Sequence, residues 1–460
     1  MTIVSEAPCK YSERTTDMSA NIDPKLPGGF RDYLPADMIP RQKMLDTIRT
    51  VFERFGFLPL DTPGIEREEV LTGGDPNFKM QIFQARLRDG DDGLALRFDL
   101  TVPLARVVSL YPEDIEKPFK RYQAGKVWRG EKPQAGRFRE FIQFDADIVG
   151  TTRPSADAEI VSLIYETLRA LGFTRFIIRV NSRRILNGLP QFAGYNADIN
   201  TDVLRIIDKL EKISWDGVSG ELSDLSLEQP QLEKIKQFLD LQSYGSKDVL
   251  ARLSELMGTS VEATEGVEEL SKISASVKAL GVPDEAWTID LSVARGLGYY
   301  TGAVFETTLL DIPEIGSVFS GGRYDGLVSR FSAQNLPATG ASIGVDRLFS
   351  AMEKLGIVKR EQSIARVLVL NFDADSEEYC QRIVAMLRAD NIPTEFYLGK
   401  EVTIKGQLGY AAKREFSVVI VAGGSEQSKS TAQVKDMLAR TQKEFGLDSL
   451  LSAVKGVLAK

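Results

Sequence analysis

Apolar residues recur at spacings of three and four through Met44, Ile48, Val51, Phe52 and Phe55, which predicts a helix over 41–55 with a single apolar face. Gly56 follows and supplies a left-handed stop. Residues 57–63 (FLPLDTP) read as an edge strand, because proline cannot donate to a sheet ladder. Residues 119–129 are strand-like, and so are 137–149. The short loop 130–136 between them forces antiparallel pairing. The second strand alternates cleanly. Phe138, Ile142, Phe144, Ala146 and Ile148 share one face, while Arg137, Arg139, Gln143, Asp145 and Asp147 share the other. Polar side chains crowded on a central strand suit a ligand platform better than bare solvent. A helix is expected over 155–171, with Ser155 as N-cap and Gly172 as stop, and then a strand over 176–181.

Residues 190–285 mix charges with helical fragments and read as a helical insertion. Strand-like sequence resumes at Trp287 and runs through residue 306. The glycine-rich stretches SGGRYD (320–325) and TGASIGVDRL (339–348) follow. A charged linker near residue 360 leads to strand–helix alternation over 366–460: strand 366–371, helix 376–390, strand 394–398, helix 404–415, strand 417–422 and a terminal helix. That alternation implies a small α/β domain. The run 427–431 (QSKST) is expected to be a solvated loop. Residues 1–25 are polar and without an apolar core, so they read as a disordered arm rather than a leader.

The chain of 460 residues has room for several domains. A net charge of −8 argues against a generally basic nucleic-acid coat but leaves room for local patches. The two cysteines, Cys9 and Cys380, support neither a disulfide framework nor a thiolate zinc site, and a reduced cytoplasmic setting is expected. No apolar run is long enough to predict a membrane span. Histidine is absent from the whole chain, which excludes Ser-His-Asp and Cys-His nucleophiles, H-E-x-x-H zinc sites and imidazole general bases. There is no P-loop and no G-x-G-x-x-G. Catalysis must then run on arginines, lysines, carboxylates, hydroxyls, backbone amides or bound metal.

The stretch RGLGYYTGAVFE (295–306) combines a guanidinium, adjacent phenols and three glycines. Such a box suits a phosphate beside a small polar aromatic ligand. It resembles the box that marks histidyl-tRNA synthetases. Three further stretches fit the same family. The helix with the Pro63 strand resembles motif 1 of class II aminoacyl-tRNA synthetases, VWRGEK with GRFREF resembles motif 2, and GVDRL resembles motif 3.

The resemblance covers nearly the whole chain from Leu26. It implies an α+β fold: an antiparallel sheet flanked by helices as class II catalytic core (26–189 and 286–355), the helical insertion 190–285, and a C-terminal anticodon-binding-like domain (366–460). By resemblance, Arg129 holds the α-phosphate of ATP with Glu131 beside it, and Arg347 holds the far end of ATP. Arg295 faces the reacting phosphate and carboxylate, so Arg129 and Arg295 are the catalytic pair. Fixed guanidiniums suit this chemistry because a carboxylate attacking a triphosphate meets like-charge repulsion. LRFDLTVP (96–103) resembles the family's histidine-binding strand. Asp99, Thr101 and Gln143 would hold the α-ammonium, while Asp147, Tyr299 and Tyr300 would read the imidazole.

The activity implied is histidine–tRNA ligation. The resemblance implies that ATP enters with Mg2+ as a substrate complex, that tRNA(His) and L-histidine are the other partners, and that the enzyme is a homodimer, expected in the cytoplasm. Lys132 and Gln134 are candidates for touching the acceptor end. The family box usually carries aspartate where this chain has Gly298, which bears on how Arg295 is oriented. The alternative is a non-catalytic, synthetase-like regulatory subunit of histidine biosynthesis, which typically lacks the C-terminal domain.

Overall fold

Met44, Ile48, Val51 and Phe52 are buried on one side of the helix Pro35–Arg54. The helix begins six residues before the expected start at 41, because Pro35 suits a first-turn position where no amide is needed. Gly56 follows at φ 77°, in the left-handed region. The computed structural model describes residues 22–73, 82–87, 90, 93–131, 138–243, 246–294, 300–332 and 335–459.

Strands β1 (Leu58–Pro59), β5 (Phe119–Trp128), β6 (Glu140–Val149), β7 (Phe176–Ser182), β8 (Trp287–Ile289), β9 (Ala303–Leu309), β10 (Phe319–Tyr324) and β11 (Ala338–Gly344) form one eight-stranded sheet. Its order is β1-β5-β6-β11-β10-β9-β7-β8. The interior pairs are antiparallel, as expected. The two outermost pairs, β1 with β5 and β7 with β8, are parallel, so the sheet is mixed rather than wholly antiparallel. The proline-bearing β1 does occupy an edge. A small sheet, β2 (Ile65–Arg67), β4 (Leu94–Leu96) and β3 (Gln84–Ala85), flanks it.

One face of the large sheet is apolar. Tyr122, Phe144, Ala146, Ile148, Ala341 and Ile343 join a core with Met44, Ile48 and Phe52, and with Ile160 and Ile164 of the helix Pro154–Ala170. Phe52 meets Phe144 edge-on at 5.1 Å between ring centroids. The N-cap of Pro154–Ala170 is Arg153, and Ser155 lies inside the first turn rather than capping it. Pro154 takes the first helical position and so moves the start back by one residue. Gly172 ends this segment at φ 90°.

The helix is locked to the sheet by a buried ion pair. Arg323 of β10 places Nη2 2.5 Å and Nε 3.1 Å from Asp157 Oδ2, and it also donates to the carbonyls of Thr151 and Arg153. Removing one member of a buried pair leaves an uncompensated charge. Asp157→Ala should therefore destabilise the protein by about 3–5 kcal/mol in chemical denaturation.

The stretch from Arg183 to Ala279 holds only helices and the short turns between them, with no strand, among its described residues. Ile185, Leu189, Leu270 and Ile273 share the core of the large sheet. Residues from Val367 onward have cores of their own, on two faces of a second sheet. That sheet has the order β13 (Thr394–Phe396), β12 (Val367–Val369), β14 (Val418–Val421), β15 (Thr431–Asp436), β16 (Thr441–Gly446). The helices Glu377–Ala389, Ile404–Lys413 and Leu447–Leu458 cover it. Two features differ from the sequence expectation. The run 427–431 is no loop: it spans the end of the helix Gly424–Lys429, a left-handed Ser430 and the start of β15. An antiparallel hairpin, β15–β16, also precedes the terminal helix. Its outer strand is exposed at nearly every position, so no alternation announced it.

Candidate active site

Strand register builds the other face of the large sheet in transverse rows. Arg121, Asp147, Gly340, Gly322 and Val304 lie opposite one another across β5, β6, β11, β10 and β9. The next row is Gln123, Asp145, Ser342, Ser320 and Glu306. Directly opposed residues share a face, so these side chains project together. Gln143, Asp145 and Asp147 are 6%, 2% and 3% exposed. The polar side of β6 is therefore covered rather than bare to solvent.

The glycines keep that floor open. A methyl at Gly340 would sit 2.1 Å from Asp147 Oδ1 and 2.6 Å from the Ala146 carbonyl, and one at Gly322 would sit 3.0 Å from the Tyr300 ring. Gly340→Ala should displace the Asp147 carboxylate. A cost of about 1–3 kcal/mol is expected in thermal unfolding, together with weaker amino-acid binding by titration calorimetry.

Asp99 reaches the floor from the small sheet. It follows β4 and accepts from the Val102 amide at 3.2 Å, holding the first turn of the helix Thr101–Leu110. Thr101 is the first residue of that helix and is half-buried. Two arginines dock this segment. Arg97 donates through Nε to the Lys126 carbonyl at 2.9 Å, and Arg129 donates through Nε to the Phe98 carbonyl at 3.2 Å. Arg129 also gives Nη2 to Gln143 Oε1 at 3.2 Å and stacks 5.1 Å from the Phe141 ring centroid. Gln143 in turn donates to Ser342 at 2.7 Å and Asp145 at 3.3 Å. Asp99, Gln143, Asp147 and Arg129, up to 48 residues apart in sequence, thus meet in one place.

Burial dominates the electrostatics. It pushes the Asp99 carboxyl up to about 6, against the Val102 amide and the charges of Arg129 and Arg121. Burial pushes Asp145 up to about 7, with Arg121 opposing and Asp147 reinforcing. Asp147 is raised by burial too, and Arg121 and the Tyr324 hydroxyl pull it back. Asp99 Oδ2 and Asp145 Oδ2 are buried without a hydrogen-bond partner among the described residues. Buried acceptors left unpaired are costly, and a bound ammonium or ring N–H would relieve them.

Asp147 is already engaged. Its Oδ2 lies 2.7 Å from Arg121 Nη2, and its Oδ1 accepts from the Tyr324 hydroxyl at 2.6 Å. Sequence reasoning did not single out Arg121, Asp145 or Tyr324 as site residues. Asp145 was visible in the alternation of β6, whereas Arg121 and Tyr324 gain meaning only from the strand order that sets them beside Asp147.

Arg347 lies in the first turn of the helix Val345–Lys354 and donates to the Ser317 carbonyl. Its neighbour Asp346 ties three elements together. It pairs with buried Arg41 at 2.7 Å, accepts from the Tyr33 hydroxyl, and takes the Ile142 amide of β6 at 3.3 Å. This clamp fixes where the Arg347 helix begins, and the sequence did not flag it. Glu131 is exposed, and its backbone carbonyl accepts from Arg139 at 3.2 Å. Tyr300 is half-buried against the sheet. Arg295, Gly298 and Tyr299 lie outside the described residues, as do Lys132 and Gln134. Both flanks of 295–299 are anchored: Arg183 Nη1 holds the Ala294 carbonyl at 3.3 Å, and the Thr301 amide donates to the Arg323 carbonyl at 2.9 Å.

A family model described as histidyl-tRNA synthetase matches residues 29–348, and one described as anticodon binding domain matches residues 365–456. The histidine–tRNA ligase of Clostridium tetani is 43% identical over 439 residues, covering 94% of this chain and 98% of that protein. That of Rhodopirellula baltica is 41% identical over 441 residues, covering 94% and 99%. The crystal structure of histidyl-tRNA synthetase from Nostoc sp. PCC 7120 matches with a TM-score of 0.85 at 34% identity, covering 95% of this chain and 99% of that one. With family models spanning both the sheet and the C-terminal domain, and relatives matched along almost their full length, the chain belongs to the histidyl-tRNA synthetase family.

Proposed function

We propose that this protein is a histidine–tRNA ligase, and that the floor of the large sheet is its amino-acid and adenylate site. The observation that carries the reading is the meeting of Asp99, Gln143 and Asp147 with Arg129 on one buried polar face. In it, Asp99, Thr101 and Gln143 receive the α-ammonium of histidine. Asp147, Tyr299 and Tyr300 read the imidazole, with Tyr324 and Asp145 as further wall. A ligand without those donors would leave buried acceptors unpaired, a penalty that can reject it by ~10⁴ or more.

The histidine carboxylate attacks the α-phosphate of ATP. Arg129 and Arg295 neutralise the charge that gathers there, while Glu131 and Arg347 hold the nucleotide. Magnesium arrives with the triphosphate as part of the substrate. Pyrophosphate leaves; a ribose hydroxyl of the terminal adenosine of tRNA(His) then attacks the histidyl carbonyl, the acyl–phosphate bond breaks, and AMP departs as the histidyl ester forms. With no histidine in the chain, positioning and charge neutralisation carry the rate, and a phosphate oxygen is available as proton acceptor.

Residues 26–189 and 286–355 form the catalytic core in this reading, 190–285 the insertion and 366–460 the anticodon-reading domain. We place the enzyme in the cytoplasm, where tRNA is charged. We place a homodimer interface at the helix Pro35–Arg54 and β1, where Leu58 is 57% exposed on the sheet edge. The match of residues 365–456 to an anticodon binding domain weighs against the regulatory-subunit alternative. Transfer of labelled histidine to tRNA(His) tests the choice. Acid-stable charging that requires ATP is expected, whereas histidine binding with no charging would favour the regulatory subunit.

A further inference from the structure

Arg121 is the most buried charged group of the site and is left without a role by everything above. It lies on β5 directly opposite Asp147 and is 0% exposed. Its Nη2 contacts Asp147 Oδ2 at 2.7 Å and donates to the Leu100 carbonyl at 3.1 Å. Its Nε and Nη1 are buried without a hydrogen-bond partner among the described residues. Burying a guanidinium so incompletely satisfied is costly, and apolar packing would serve stability as well. Its charge acts on Asp99, Asp145 and Asp147 alike.

We propose that Arg121 is a positioning residue that sets the hydrogen-bond polarity of the imidazole pocket, by pinning the Asp147 carboxyl between a guanidinium and the Tyr324 hydroxyl so that it faces the ligand as an acceptor. The inference rests on the histidine-binding reading given above. An ionised carboxylate can only accept, whereas a protonated one also donates. With Arg121 in place, Asp147 Oδ2 lies 2.7 Å from the guanidinium as an ion pair with no hydrogen bond of its own among the described residues, and the Tyr324 hydroxyl spends its proton on Oδ1. The wall made by these two groups then presents acceptors, and the ligand atom that meets it must carry a hydrogen. One ring nitrogen of neutral imidazole does.

Without Arg121, no cation on β5 or β6 offsets the carboxylate. The other groups around it are Asp99 and Arg97 beyond β4, Gln123 on β5, Gln143 and Asp145 on β6, Ser342 on β11 and Tyr324 on β10. Two of these are further carboxylates, and Arg129 is occupied by Phe98 and Gln143. Asp147 would take up a proton and become a donor, Tyr324 would be released to turn, and the demand for a ring N–H would disappear.

The test compares histidine with its thiazole analogue, in which sulfur replaces the ring N–H, in ATP–pyrophosphate exchange by wild type, Arg121→Met and Arg121→Lys. In Arg121→Met, the KM for histidine should rise on the order of 10–100-fold while the KM for ATP stays put. The preference for histidine over the thiazole should shrink on the order of tenfold, and Arg121→Lys should restore part of it. Loss of kcat with an unchanged preference, or equal damage to both KM values, would overturn the role. If Arg121→Met does not fold, Arg121→Lys carries the test: a preference for histidine over the thiazole lowered together with a raised KM for histidine supports the proposal, and both left at the wild-type value overturn it. A wild-type protein silent in exchange contradicts the ligase reading instead. The comparison is then made by calorimetric binding of the two amino acids to the same proteins, where an unchanged preference in the variants still overturns the role of Arg121.

Discussion

Arg129→Ala is expected to slow histidine-dependent pyrophosphate exchange by about 10²–10³-fold, mostly in kcat. The guanidinium is aimed before any substrate arrives. The Phe98 carbonyl holds Nε, Gln143 holds Nη2, and the Phe141 ring lies against its plane. Preorganised charge costs no reorganisation when negative charge gathers on the phosphate, so its loss falls on the transition state. Because Gln143 also faces the amino acid in this account, a smaller rise in the KM for histidine should accompany the change. Arg129→Lys should recover little, since a point charge reproduces neither the stacked plane nor the fork that spans two acceptors. Initial-rate kinetics with both substrates varied separate the two effects.

The second large effect belongs to Asp99. Asp99→Asn should raise the KM for histidine on the order of 10–100-fold, because a charge-assisted contact to the α-ammonium becomes a neutral one. Asp99 titrates at about 6 and Asp145 at about 7, both raised by burial. Only the ionised forms attract an ammonium, and the ionised fraction grows as pH rises through that window. The KM for histidine should therefore fall between about pH 5.5 and 7.5 in wild type. The ligand's own imidazole titrates near pH 6.5, so the informative quantity is the ratio of variant to wild type. That ratio should widen as pH rises and Asp99 ionises in the wild type alone. A ratio flat across the window would remove Asp99 from ammonium binding.

Folding stability runs the other way. A carboxyl with a raised native pKa binds its proton more tightly folded than unfolded, so the contribution of Asp99 and Asp145 weakens as pH climbs from the unfolded value toward 6 and 7. The two buried acids thus give up stability at neutral pH.

Much of this was legible in the chain because it rests on short periods. The two-residue alternation of β6 separated Phe144, Ala146 and Ile148 from Gln143, Asp145 and Asp147, and the structure keeps both sets on the expected faces. Strand β1 betrayed its edge position through Pro59. The unread parts depend on neighbours in space. Nothing local to Arg121 says that Asp147 sits opposite, and nothing local to Tyr324 says that its hydroxyl reaches the same carboxylate. Nothing local to Asp346 says that Arg41 and Tyr33 close on it. Strand β16 carries Thr441, Gln442, Lys443 and Glu444 in succession, and an exposed strand has no apolar beat to detect. Ser155 has the chemistry of an N-cap, yet Pro154 claimed the first turn ahead of it.

ATP–pyrophosphate exchange across the twenty amino acids puts the central claim to the most direct test, because it asks whether the buried acid floor selects a ligand with an ammonium and a ring N–H and activates it beside Arg129. Exchange with histidine alone, slowed about 10²–10³-fold by Arg129→Ala, is the predicted result. Exchange driven equally by other amino acids, or none with histidine, would contradict it.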